Sequence, residues 1–239
     1  MDDALLQGRS RLELEIESPV GFKYHDWEMM NEMRIEICGS IASGKTTLAA
    51  RLAPAVAGRP VLENFRANPF WNRFYKEPQL FRPEKDVCFL AQHTGEIKAA
   101  GKGNLVCDYA AIQDIAYAEL ARDVNHSLMM RAVYQQLYQV LPPPVLIVHL
   151  TCEVNELLRR IRRRGRPEEQ RIDSAYLKSL EEALSELLGE SSLLHSGVKI
   201  FPVRSDEVDF ANQDAQAGQL CTKIHQIISE LTQQAQALN

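Results

Sequence analysis

The 239-residue chain contains 45% hydrophobic residues, 25% charged residues and a formal net charge of -5. This is enough apolar content to bury one core of about 150 to 200 residues, and no apolar run approaches the roughly 20 residues of a membrane-spanning helix. We therefore expect no membrane partner. The five cysteines are scattered and form no CxxC pair, which argues against disulfides or a zinc site and favours a cytoplasmic protein.

The domain organisation is inferred from a change in the spacing of apolar residues along the chain. The first segment is acidic and lacks the apolar core of a secretory signal, so no targeting signal is predicted. We treat residues 1–33 as an N-terminal extension and residues 34–239 as one domain. From residue 34 onward, short apolar runs alternate with segments of helical period, such as 84–99. The runs are RIEICG (34–39), PVLEN (60–64), NLVCD (104–108), VLIVHL (145–150) and VKIFPV (198–203).

This alternation predicts an α/β fold in which a parallel five-stranded sheet is covered by helices on both faces. In such sheets ligands bind beyond the carboxyl ends of the strands, so the residues that follow each run become candidates for a site. The C-terminal region 211–239 is rich in Gln and Ala and predicts a polar helix on the surface.

A phosphate-binding loop is the strongest local signal. The sequence GSIASGKT follows the first run and fits the pattern G-x-x-x-x-G-K-[ST]. Backbone N–H groups of such a loop surround phosphate oxygens at a helix N-terminus. A chance match in a glycine turn is the alternative, but the flanking strand and helix favour a site for ATP or another triphosphate. We predict Lys45 at the β- and γ-phosphates and Thr46 on Mg²⁺. The predicted ATP-binding residues here are Gly39, Ser40, Ile41, Ala42, Ser43, Gly44, Lys45, Thr46 and Thr47.

Carboxylates follow the next two runs. Glu63 precedes NFRANPFWNRFYKEP, a segment dense in aromatic residues. It could accept the proton of an attacking hydroxyl while the rings hold a flat substrate, although core packing is the simpler interpretation of such rings. Asp108 ends the third run, where a carboxylate can hold Mg²⁺ directly or through water. A helix N-cap is an equally simple interpretation of Asp108.

Several ordered motifs between Arg34 and Phe210 resemble the deoxynucleoside kinases of the deoxyadenosine, deoxyguanosine and deoxycytidine kinase type. The segment LENFRANPFWNRFYKEP is similar to the second-strand motif of that family. This implies that Glu63 is the general base toward the nucleoside 5'-hydroxyl and that Tyr75 contacts the sugar 3'-hydroxyl. In FLAQHTGEI, the resemblance implies that Gln92 pairs with the nucleobase edge, whereas a solvent-facing glutamine is the alternative. It also implies an ATP-dependent P-loop kinase that forms a homodimer.

The arginine-rich stretch RRIRRRGRPEEQR stands out in this acidic chain. It follows a helix of apolar period and is similar to the lid of the same family. The resemblance implies that Arg162 and Arg164 bind ATP, that Arg166 joins Lys45 in stabilising the transferring phosphoryl group, and that Glu169 binds the sugar 3'-hydroxyl. A nucleic-acid patch is the alternative, but the acidic balance of the chain and the two glutamates in the stretch argue against it.

Two weaker matches and one departure complete the comparison with that family. Asp114 lies where many members recognise an exocyclic amino group, which implies a deoxyadenosine, deoxyguanosine or deoxycytidine substrate, and Ser205–Phe210 is similar to the loop over the ATP adenine. Either could be an ordinary polar position. The family has D-R-S or E-R-S after the third strand, whereas this chain has Asp108, Tyr109 and Ala110. The missing arginine leaves a second hypothesis open, a nucleotide-binding pseudokinase that serves as a scaffold or complex subunit.

Overall fold

The computed structural model describes residues 33–138, 140–195, 197–208, 210 and 214–237. The predicted N-terminal extension lies outside the described residues except for Met33, so its boundary stays a prediction. Within the described residues the sheet has five parallel strands in the order β2-β3-β1-β4-β5, which confirms the predicted fold. The strands are β1 (Arg34–Gly39), β2 (Arg59–Val61), β3 (Leu105–Cys107), β4 (Leu146–Thr151) and β5 (Lys199–Arg204).

The connections between strands contain the helices, as a parallel sheet requires. The predicted helical segment 84–99 is part of a longer helix that begins at a proline, the residue best tolerated in a first turn. The α-helices are α1 (Lys45–Ala55), α2 (Trp71–Lys76), α3 (Pro78–Ala100), α4 (Ile112–Glu119), α5 (Val124–Tyr138), α6 (Val154–Arg164), α7 (Ser174–Gly189) and α8 (Asp214–Ala237), with short 3-10 turns at Phe65–Ala67 and Pro167–Glu169. Among the helices described here, none is long and apolar enough to cross a membrane.

Apolar side chains from both faces of the sheet form two cores. Side chains of α3, α4, α5 and α7 cover one face, and those of α1 and α8 cover the other. The C-terminal helix α8 lies on the surface with most of its described positions exposed, as predicted, but it is not polar all round, because an apolar stripe at helical spacing packs against α1. The buried members of that stripe are Ala217, Leu220, Cys221, Ile224 and Ile228.

The carboxyl ends of the strands meet at one edge of the sheet. β2 and β3 end at Val61 and Cys107, earlier than the predicted runs, so Glu63 and Asp108 lie in the loops just beyond them. The N–H of Asp108 donates to the Val61 carbonyl oxygen at 3.1 Å, and the N–H of Ser205, after β5, donates to that of Thr151 at 2.8 Å. These bonds hold the loops together at the edge where a ligand is expected.

Candidate active site

The phosphate-binding loop lies between β1 and α1. Gly39 has a φ of 144°, and a Cβ atom there would lie 2.4 Å from the backbone oxygen of Leu150 on β4, so only glycine fits. Lys45 folds back over the loop, where its Nζ donates to the carbonyl oxygens of Gly39 at 2.8 Å and Ser40 at 3.1 Å. Burial opposes the ammonium charge and lowers the pKa of Lys45, although nearby carboxylates act in the opposite direction. The loop thus keeps its cation close to the place where phosphate binds.

Asp108 joins this loop to the end of β2. Its Oδ2 accepts a hydrogen bond from the Thr46 hydroxyl at 2.6 Å, and its Oδ1 accepts one from the backbone N–H of Glu63 at 2.6 Å. Burial raises the pKa of Asp108, while these two donors act to lower it. Asp108 does not cap a helix, because α4 begins at Ile112 with Ala111 as its N-cap. Its carboxylate instead fixes the positions of two neighbouring elements of the site.

Glu63 projects from the loop after β2 with 38% of its side-chain surface accessible, and its Oε1 lies 3.3 Å from Nε2 of His93. Partial burial acts to raise the pKa of this carboxyl. The cationic groups of His93, Lys45 and Arg166 outweigh that effect and lower the pKa of Glu63 below its ordinary value. Glu63 is therefore ionised at neutral pH and able to accept a hydrogen bond from a hydroxyl group.

These groups lie along one cavity of about 860 Å³, a volume typical of ligand sites. Most of the sequence-predicted site residues line it, and Gly39 and Ser40 are buried at the base of the loop. The predicted residues on the wall are Ile41, Ala42, Ser43, Gly44, Lys45, Thr46, Thr47, Glu63, Tyr75, Asp108, Asp114, Arg164, Arg166 and Glu169.

Aromatic rings form one side of this cavity. Trp71 packs edge-on against Tyr75 and Phe89, with ring centroids 4.9 Å and 5.6 Å apart. All three rings line the cavity, together with Phe65 and Phe74. The aromatic segment after Glu63 is thus more than core packing, because it provides flat apolar surfaces beside the carboxylates.

The segment 162–170, which the resemblance predicts to be a lid and which is called the lid below, leaves α6 at Gly165. Gly165 is the C-cap of the helix and adopts a left-handed conformation with a φ of 67°. Arg164 forms two hydrogen bonds with Glu169, at 3.0 Å and 2.6 Å, and Arg166 lies 3.3 Å from the same carboxylate. The Arg166 guanidinium also lies 4.9 Å from the centre of the Phe65 ring. Both arginines and the buried Glu169 are therefore held at the cavity before any ligand is present.

Two predicted residues, Gln92 and Arg162, are not brought to the cavity. The side-chain amide of Gln92 donates to the Asn64 carbonyl oxygen at 2.8 Å and to Glu96 at 3.0 Å, so it does not line the cavity where the nucleobase edge was predicted. The alternate-residue pattern of arginines suits an extended lid, but α6 continues to Arg164. Because residues two apart on a helix do not share a face, Arg162 is exposed outside the cavity.

Three charged residues of α3 reach the site without having been singled out in the sequence. Lys85 and Asp86 line the cavity and pair with each other at 2.6 Å, and His93 lies behind its wall in contact with Glu63. Together with Phe89 they follow the three-to-four-residue spacing of a single helix face. That spacing was the available signal, but it does not by itself say which face of α3 meets the cavity.

Arg160 of α6 also reaches the site, although the arginines after it received the predicted roles. It donates from Nη2 to the Ser205 carbonyl oxygen at 2.7 Å and from Nη1 to the Ser43 carbonyl oxygen at 3.4 Å. It thereby links the phosphate-binding loop to the loop after β5. The described cavity-lining residues of the predicted adenine loop are Asp206, Val208 and Phe210.

Tyr109, at the position of the missing arginine, points into the protein and is 2% exposed. Its ring stacks on the imidazole of His93 with centroids 4.1 Å apart. Its hydroxyl donates to the His93 carbonyl oxygen at 3.1 Å. Tyr109 thus supports the wall of the site and brings no charge to the cavity.

Known proteins share the sequence pattern and the fold of this chain. The deoxynucleoside kinase family profile matches residues 35–229. A deoxyguanosine kinase of Bacillus subtilis is 24% identical over 81% of this chain and 97% of its own length. A deoxyadenosine/deoxycytidine kinase of the same organism is 24% identical over 82% of this chain and 93% of its own. The solved structure of M. mycoides deoxyadenosine kinase with dCMP and dCDP superimposes with a TM-score of 0.66 at 22% identity, covering 81% of this chain and 100% of that one. The chain therefore belongs to the deoxynucleoside kinase family of enzymes.

Proposed function

We propose that this enzyme transfers the γ-phosphoryl group of ATP to the 5'-hydroxyl of a deoxynucleoside whose base bears an amino group. The proposal rests on one observation: the phosphate-binding loop, the ionised Glu63 and the lid arginines line the same cavity. In the transfer, a bond forms between the 5'-oxygen and the γ-phosphorus, and the bond to the bridging oxygen breaks with its electrons leaving on ADP. The hydroxyl proton passes to Glu63 and from there to water.

Cations surround the expected path of the phosphoryl group. Lys45 lines the cavity at the loop, and Arg164 and Arg166 line it at the lid. Because phosphoryl transfer depends on positioning and on neutralisation of phosphate charge, this placement suits Lys45 and Arg166 as catalytic residues. The lid arginines now pair with Glu169, and they can exchange that partner for phosphate oxygens when ATP binds.

The site also fits Mg²⁺. The Thr46 hydroxyl and the Asp108 carboxylate are adjacent hard oxygen ligands, and no larger group of metal-ligating side chains occurs among the described residues. Mg²⁺ prefers such a site, with one or two protein oxygens completed by water and phosphate. When bound there, Mg²⁺ would neutralise charge on the β- and γ-phosphates.

The deoxynucleoside is proposed to lie along the aromatic side of the cavity. Carboxylates accept hydrogen bonds from exocyclic amino groups, and Asp114 and Asp86 both line this part of the site. Thymine has a carbonyl oxygen where cytosine has its amino group, so these carboxylates disfavour it. Tyr75 and Glu169 line the same cavity and are proposed to bind the sugar 3'-hydroxyl. The structural and sequence relatives do not distinguish among the three amino-bearing bases.

The pseudokinase hypothesis is not favoured. It was based on Tyr109, yet the loop lysine, the ionised glutamate and the lid arginines line one cavity, and both Bacillus subtilis relatives are kinases. A test is ADP release, coupled to a colour reaction, with each of the four deoxynucleosides. We expect stimulation by at least one amino-bearing substrate and little by thymidine. The Glu63→Gln variant should lose most of this rate, whereas the same exchange at the exposed Glu186 should keep it. ATP binding without ADP release for any deoxynucleoside would refute the proposed reaction.

A homodimer is also proposed, as the family resemblance implies. Helix α5 has exposed apolar side chains at Val124 (72%), Leu128 (61%) and Met129 (37%), and contiguous apolar surface of this kind favours association. Light scattering during gel filtration should give twice the mass of the chain. A single-chain mass at micromolar concentration would contradict the dimer.

A further inference from the structure

His93 lies between two carboxylates that come from different elements of the fold. It is 2% exposed, its Nδ1 lies 2.8 Å from Oδ2 of Asp114 on α4, and its Nε2 lies 3.3 Å from Oε1 of Glu63. An ionised carboxylate only accepts hydrogen bonds, so each ring nitrogen faces an acceptor. Only the imidazolium form presents N–H groups to both sides.

Packing fixes the orientation of this ring. Tyr109 stacks on one face with an interplanar angle of 19°, and the Phe89 ring centroid lies 5.7 Å away. The hydrogen bond from the Tyr109 hydroxyl to the His93 backbone holds the two residues together. The imidazole therefore cannot turn away from Glu63 without disturbing buried contacts.

The charges around His93 favour its protonated form. Burial acts against a positive charge, but the carboxylates of Asp114 and Glu63 outweigh it and raise the pKa of His93 to about 10. Burial raises the pKa of Asp114 and of Glu36 on β1, whereas the positive charge of His93 acts to lower both. Asp86 on α3 adds negative charge beside Asp114. The cations Lys45 of the loop and Arg166 of the lid also act on Glu63 and lower its pKa.

We propose that His93 is a positioning residue for catalysis: as an imidazolium anchored by Asp114 and stacked on Tyr109, it directs the Glu63 carboxylate toward the attacking hydroxyl. The contact with Glu63 is longer than that with Asp114 and lacks hydrogen-bond geometry. Glu63 therefore keeps freedom to turn to its substrate, while the anchor stays fixed. His93 keeps its proton throughout the reaction, and the proton that moves is that of the substrate hydroxyl. This inference rests on the proposed role of Glu63.

The first test measures the charge of His93 in the unchanged protein. Nitrogen chemical shifts of labelled histidine should show an imidazolium, with both nitrogens protonated, at pH 8 in one buried residue. The His93→Gln variant assigns that signal by removing it. A neutral His93 at pH 8 would overturn the proposal whether or not any deoxynucleoside is phosphorylated, so this result is independent of the proposed reaction.

The second test follows kcat against pH. His93→Gln should lower kcat by about 10- to 100-fold, the usual effect of losing a residue that orients a catalytic group, with little change in KM. Loss of the neighbouring positive charge lets the pKa of Glu63 rise, so the acid limb should move to higher pH by about one unit or more. His149→Gln is the matched control, because His149 is buried beside Glu181 at 3.1 Å and does not line the cavity. It should leave the acid limb in place.

A cationic replacement at position 93 separates the effect of charge on catalysis from the effect of packing. His93→Lys restores a cation and should return the acid limb toward that of the unchanged enzyme, even if part of kcat stays lost. If the glutamine variant does not fold, Asp114→Asn offers a second route. It removes the anchor, so His93 should lose its proton nearer neutral pH and kcat should fall as the pH rises. An unchanged acid limb and kcat in His93→Gln, or an unchanged alkaline limb in Asp114→Asn, would overturn the proposal.

Discussion

The buried ion pair on β1 predicts a large and asymmetric effect on stability. Arg34 and Glu36 have side chains that are 2% and 1% exposed, with Nε and Oε1 2.9 Å apart. No guanidinium nitrogen of Arg34 reaches hydrogen-bond geometry with a partner in the described part of the chain. Attraction between buried charges offsets their loss of hydration only when geometry and hydrogen bonding are both good. This pair should therefore contribute little net stability, although either charge alone would be costly.

Glu36→Gln leaves the Arg34 guanidinium buried without a countercharge. We expect the free energy of unfolding to fall by about 3 to 5 kcal/mol, which shifts the unfolding equilibrium by about two to three and a half powers of ten. The double variant Arg34→Met/Glu36→Leu removes both charges and keeps most of the volume. It should be as stable as the unchanged protein or more stable by about 1 to 4 kcal/mol.

Urea titration followed by circular dichroism measures these differences as shifts of the midpoint at constant slope. Glu190→Gln is a matched control, because its partner Arg131 lies at 2.7 Å but the two side chains remain 39% and 28% exposed. The Glu190→Gln change should lower the free energy of unfolding by about 1 kcal/mol or less. A double variant as unstable as Glu36→Gln would refute the reasoning, and so would a single variant no worse than the control.

Three further predictions concern the cavity. Arg166→Ala should lower kcat/KM by about 10²- to 10³-fold, while Arg162→Ala should keep kcat/KM within about twofold of the unchanged enzyme. Equal losses for the two variants in steady-state kinetics would contradict the placement of Arg166 at the cavity and of Arg162 outside it. Gly39→Ala should weaken ATP binding in calorimetry by about tenfold or more, because its Cβ would lie 2.4 Å from a backbone oxygen of β4; an unchanged Kd would count against it. Because Glu63 must be ionised and its pKa is lowered, kcat/KM should be lost only as the pH falls below the ordinary glutamate range; an acid limb near neutral pH would show that another group controls it.

Local sequence determined the phosphate-binding loop and its surroundings. The glycines, Lys45 and Thr46 belong to one short segment between a buried strand and a helix. Their geometry depends on neighbouring residues, so the pattern was sufficient to predict it. The five parallel strands likewise followed from the alternation of apolar runs and helical segments, whereas their order in the sheet came from the structure. Glu63 and Asp108 could be placed near the loop because parallel strands end at the same edge of the sheet.

The tertiary structure decided which side chains face the cavity and which side chains contact each other although they are far apart in sequence. Gln92 and His93 are adjacent in sequence, yet the rotational setting of α3 turns the histidine toward Glu63 and the glutamine away. The contact of Thr46 with Asp108 joins residues 62 positions apart. Tyr109 stacks on His93, 16 positions away, because α3 packs beside the loop after β3. Helix rotation and long-range contacts are set by how the elements pack together, which no local pattern specifies. The physical reason is that burial selects one face of each helix, and the sequence alone leaves that choice between neighbouring residues open.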